Sequence, residues 1–81
     1  MDQVPTPGRI VLYKPTTDEI ESITGYEPGN HVIIEWPAIV VWVFSETVVN
    51  LKVFGDAPKD FWKTNAVLGE VVGEWRWPPR V

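Results

Sequence analysis

Ala38-Ile39-Val40-Val41-Trp42-Val43-Phe44-Ser45-Glu46-Thr47-Val48-Val49-Asn50-Leu51-Lys52-Val53-Phe54 decides the fold class. Two runs rich in β-branched and aromatic residues flank Ser45-Glu46, a short polar pair suited to a tight turn, so the stretch reads as a β-hairpin. In the second run the odd positions Thr47, Val49, Leu51 and Val53 form one face, which is expected to point inward, with Asn50 and Lys52 pointing out. The first run, Ala38 to Phe44, is apolar at nearly every position. Such a strand is expected to be covered on both faces.

Outward from the hairpin, Arg9 to Lys14 alternates as a first strand, with Ile10 and Leu12 on one face and Arg9, Val11 and Tyr13 on the other. Ala66 to Leu68 reads as a short strand, and Glu74 to Trp77 as another after Gly73. Asp56 to Lys63 reads as a loop with at most one helical turn around 59–62. Thr17 to Ile23 has helix signals: Thr17 as N-cap, acids in the first turn and Gly25 as a stop. Tyr26-Glu27-Pro28-Gly29-Asn30 has the chemistry of a type II turn, and His31 to Trp36 reads as a further strand or an extended loop. Short strands with turn punctuation predict an all-β domain: a small, strongly bent SH3-like barrel of about five strands, with a long loop (residues 15–36) after the first. Pro5 and Pro7 at one end, and Pro78 and Pro79 at the other, predict extended arms.

At 81 residues the chain is one domain, since half of it would be too short to close a core. Seven basic and eleven acidic residues give a net charge of −4, which argues against general binding of duplex nucleic acid. The opening residues carry no basic segment followed by an apolar one, and the longest apolar run falls far short of the roughly 20 residues a membrane helix needs. With no cysteine in the chain, a cytoplasmic setting is expected. An apolar central strand is hard to cover on both faces in so small a monomer, which favours a homo-oligomer; the alternative is that the arms and the long loop supply the cover.

The same subtraction limits chemistry. Without cysteine there are no thiolate metal sites, and His31, the single histidine, excludes a multi-histidine zinc centre. Ser22 and Ser45 stand in no nucleophile motif. Asp18, Glu19 and Glu21 lack a calcium-loop pattern, and Gly69 to Gly73 lacks the Lys-Ser/Thr of a phosphate loop. The expectation is a protein that is not an enzyme, with no catalytic residues, no metal and no cofactor. The residues with recognition potential lie in Gly73-Glu74-Trp75-Arg76-Trp77-Pro78-Pro79-Arg80. If this segment is extended, Trp75 and Trp77 share a face about 6.6–6.8 Å apart, enough for a flat ring to enter between them. Indoles beside the guanidinium groups of Arg76 and Arg80 suit a stacked base and a phosphate, with Tyr13 and Asn50 as polar partners. Against this stands packing: in a domain with no other staple, tryptophans usually build the core.

Pro7-Gly8-Arg9-Ile10-Val11-Leu12-Tyr13, Pro37-Ala38-Ile39-Val40-Val41, Val49-Asn50-Leu51-Lys52-Val53-Phe54 and Gly73-Glu74-Trp75-Arg76-Trp77-Pro78, taken in order, resemble a widespread set of small phage and prophage proteins. Their pattern runs from a PGRxVHY-like strand through an AIV…VNLxVF hairpin to a G-T-W-H-W-P-like end. The chain departs from it at Leu12 and Arg76, where the pattern has histidines, so no imidazole role transfers. The resemblance implies phage origin and action in the host bacterial cytoplasm, and it implies no activity. By analogy, such proteins serve as inhibitors of host defence, sponges for nucleotide second messengers or minor assembly proteins. Two functions are therefore expected: capture of a small nucleotide-type signalling molecule of host defence, in an oligomer, or an SH3-like module that docks on a host or virion protein.

Overall fold

The Ala38–Phe54 hairpin forms and carries the sheet. In the computed structural model, which describes residues 3–25 and 34–79, its strands are β2 (Trp36–Val43) and β3 (Val48–Phe54). They pair antiparallel, with Ala38 opposite Val53 and Val40 opposite Leu51. The turn is stabilised by Ser45, whose Oγ accepts from the Thr47 and Val48 amides. β1 (Ile10–Tyr13) joins the other side of β2, with Ile10 opposite Ile39. β4 (Asp60–Val67) flanks β3, and β5 (Trp75–Arg76) flanks β1. The order is β4-β3-β2-β1-β5, an all-β antiparallel sheet curled into a half-barrel of SH3-like type. A parallel bridge between Leu68 and Trp75 ties the end of β4 to β5.

The inward face is the expected one on β3: Val49, Leu51 and Val53 are fully buried. Val11 and Tyr13 of β1, Trp36, Ala38 and Val40 of β2, Ala66 and Trp75 complete the sheet's share of the core. The described part of the long connection after β1 packs over this core. It contains α1 (Thr17–Thr24), which buries Ile20. Its N-cap is Thr16 rather than Thr17: the Thr16 hydroxyl accepts from the Glu19 amide while the Glu19 carboxylate accepts from the Thr16 amide, a reciprocal capping box. Gly25 ends the helix at φ 78°, the left-handed conformation that a glycine adopts without cost. The N-terminal arm lies on the domain, with Pro5 buried and the Gly8 amide donating to Val40 O. The turn expected at 26–30 and the first part of the 31–36 segment lie outside the described residues.

A further expectation is corrected. The segment read as a loop over 56–63 is strand from Asp60 onward, and the short strand at Ala66 is the tail of this longer one. Phe61 and Lys63 turn inward, opposite Val53 and Leu51, while Trp62 points outward opposite Lys52. The alternation was hidden because an inward lysine and an outward tryptophan invert the usual pattern. Within the single chain, the described residues cover β2 on one face, and the cover expected for its other face, from a second copy or from the arms and long loop, is not among them. A register shift between Val40 and Trp42 leaves Val41 as an extra residue, and Val41 and Trp42 are 43% and 59% exposed.

Candidate functional site

The C-terminal indole pair does not form a slot. Trp75 is fully buried, and its Nε1 donates to Ala66 O at 3.1 Å and Thr47 O at 3.2 Å. Trp77 meets it edge to face, ring centroids 5.3 Å apart and planes at 82°. A flat ring cannot enter between rings so close and so steeply inclined, so the ligand-stacking expectation fails for Trp75 on packing grounds. Trp77 is half-buried, and the Arg9 guanidinium lies 4.9 Å from its ring centre. Arg76 turns to the opposite face and forks onto Glu35, Nε to Oε2 at 2.5 Å and Nη2 to Oε1 at 2.7 Å. That bidentate bond holds the Glu35 carboxyl below its usual range and raises the guanidinium. Its neutralisation by Glu35 leaves Arg76 poorly disposed toward a phosphate.

The other expected polar partners lie elsewhere. Tyr13 is fully buried and donates to Glu19 Oε1 at 2.7 Å. Burial, then the bond and charge of Glu19, push the phenol far above its ordinary range. Burial by itself would raise Glu19, but the Thr16 amide, the Tyr13 hydroxyl and Lys63 at 3.4 Å outweigh it, and the carboxyl titrates low. This cluster locks α1 to β1 and β4. Asn50 faces outward from β3, and its Oδ1 accepts from the Asn65 amide at 2.9 Å, holding Asn65 at φ 54°. Arg80 and His31 lie outside the described residues. The sheet thus separates Trp75 and Tyr13, inside, from Asn50, outside.

One open depression of about 230 Å³ lies between α1 and β4, lined by Asp18, Glu19, Ser22, Ile23 and Phe61. It is smaller than the roughly 300–1,000 Å³ of ordinary small-molecule sites. Both Glu19 oxygens already accept bonds there, so it offers no spare buried polar group. None of the described helices is long and apolar enough to cross a membrane.

The feature that sequence reading missed is the outer face of the sheet. Trp62 is 63% exposed and Trp42 59%, with Ile10, Val41 and Phe54 also exposed on the same face. The cross-strand row Ile10, Ile39, Lys52, Trp62 runs over four strands on this face. Lys52 and Asp60 form an ion pair of 3.5 Å among these side chains. The signal in the sequence was the unbroken apolarity of Ala38–Phe44, which marked two faces in need of cover. Trp62 carries no such signal, because Asp56 to Lys63 lacks the alternation that marks a strand. Comparison with known proteins finds no matching family model, no matching curated protein and no matching solved structure.

Proposed function

We propose that the chain is a non-catalytic protein-interaction module that docks on protein surfaces through the outer face of its sheet. The observation that carries this reading is the pair Trp42 and Trp62, more than half exposed on one face. Leaving two indoles in water is costly, and tryptophan is among the residues that dominate binding energy when a partner seals it. Large apolar side chains gathered in water on one face of a small protein are a mark of an interaction surface. Capture of a small nucleotide needs an open ring pair and an uncommitted guanidinium. Trp75 is buried, Trp77 lies under Arg9 and Arg76 is paired with Glu35, so the geometry supports docking over capture. Among the accessory roles that the phage resemblance implies, assembly and the docking of a protein need only such a face.

Photo-crosslinking tests the reading. Benzoylphenylalanine placed at position 42 or 62 in the full chain, expressed in bacteria, is expected to give a discrete adduct of a protein, of this chain or another. The same group at Glu21, exposed on the helix side, serves as control. Adduct yields at 42 and 62 no higher than at 21 would overturn it.

A further inference from the structure

We propose that the occupant of this outer face is a second copy of the chain, the two sheets packing back to back about a two-fold axis. The proposal rests on the interaction reading above and names its partner. Three observations lead to it. First, an antiparallel sheet with one face in water ordinarily alternates apolar inside with polar outside. Here β2 sends Pro37, Ile39, Val41 and Trp42 outward, the pattern of a strand between two layers, and among the described residues one layer only is supplied, from α1 and the N-terminal arm. A second copy of the same face provides the other, at the roughly 10 Å spacing of stacked sheets.

Second, the area suffices. Trp42, Trp62 and Phe54, at their exposures of 59%, 63% and 40%, present on the order of 400 Å² between them. Ile10, Val41 and the Lys52 stem bring the face toward the roughly 800 Å² per partner of a standard interface. Third, the charges permit self-docking. The chain carries −4, yet this face carries the pairs Lys52–Asp60 and Arg76–Glu35, each of which cancels. Two copies meeting here face no net repulsion, and a two-fold axis lets Lys52 of each reach Asp60 of the other. The opposite side, where Asp18 and Glu21 of α1 are exposed, would repel its own copy.

The test is the mass of the purified full chain by sedimentation equilibrium, with circular dichroism to confirm that each variant is folded. The native chain is expected at twice the subunit mass at micromolar concentration. Trp62→Ser should raise the dissociation constant by roughly thirtyfold, as loss of an interface anchor does. Lys52→Asp should weaken the dimer, and Lys52→Asp combined with Asp60→Lys should recover most of the loss. A native chain that stays at one subunit mass to millimolar concentration overturns the proposal, as does a dimer indifferent to Trp62→Ser. A monomer that still crosslinks to another protein through position 62 overturns only the second copy as occupant. A monomer with no adduct above the control overturns the interaction reading as well.

Discussion

Glu19 accepts hydrogen bonds from three directions: the Thr16 amide at 2.9 Å, the Tyr13 hydroxyl at 2.7 Å and the Lys63 ammonium at 3.4 Å. All three favour its ionised form, and they hold its carboxyl below the unfolded value despite burial. A carboxyl that is lower in the folded state contributes stability that is complete above its unfolded pKa and is lost as pH falls through the folded one. The phenol of Tyr13 is displaced the other way, so its contribution is complete below the ordinary tyrosine range and is lost at strongly alkaline pH. Urea denaturation of the native chain should therefore show stability falling below about pH 4.5. In Glu19→Gln it should be lower by about 1–3 kcal/mol at neutral pH, the cost of losing hydrogen bonds to a charged group, and the acid slope should be shallower. Parallel acid slopes for the two proteins would show that Glu19 does not carry this dependence.

At the scale of elements, the contact between the β3–β4 connection and the layer above it depends on Gly55. A Cβ there would come within 2.9 Å of the Trp36 ring and 3.0 Å of Ile23 Cγ2. Trp36 starts β2 and Ile23 lies on α1, so Gly55 is where connection, strand and helix converge. Gly55→Ala is expected to lower stability by about 1–3 kcal/mol through overpacking, and to alter the near-ultraviolet dichroism of Trp36. A urea midpoint equal to that of the native chain would count against this close packing. Such convergence is invisible in the sequence, where Gly55 reads only as the end of a strand. What could be read was local: Val49, Leu51 and Val53 alternate cleanly because both their neighbours in the chain tolerate water, and the hairpin follows from that period. β4 could not be read because Lys63 points inward to reach Glu19, a partner 44 positions away, while Trp62 points outward. The candidate site suffered likewise. In the sequence Trp75 has only Arg76 and Trp77 to define it, but in the fold its indole meets the carbonyls of Thr47 and Ala66, which only the curl of the sheet brings to it.

For the whole molecule, that curl needs a fastening, because the two ends of the sheet order, β4 and β5, meet through few contacts. Trp75 supplies it. Its indole bonds to Thr47 and Ala66 at one end of the β3–β4 ladder, its backbone bridges Leu68, and its carbonyl accepts from the Gly69 amide at 2.9 Å. The fully buried ring fills the space enclosed by the half-barrel. Trp75→Phe keeps a ring but removes the donor to the Ala66 and Thr47 carbonyls, of which Thr47 keeps the Leu68 amide, and leaves space unfilled. Its expected cost is about 2–4 kcal/mol, a large share of the stability of a domain of this size. Trp62→Ser, on the outer face, should change the stability of the monomer by no more than about 0.5 kcal/mol. Urea denaturation at concentrations low enough to keep the chain monomeric separates the two, with a lower midpoint and an unchanged slope for Trp75→Phe. Equal losses would mean that both indoles serve the fold, and the outer face would then lose its standing as a surface kept for a partner. A large loss at Trp75 with none at Trp62 divides the tryptophans into one that closes the half-barrel and one that the isolated fold does not use.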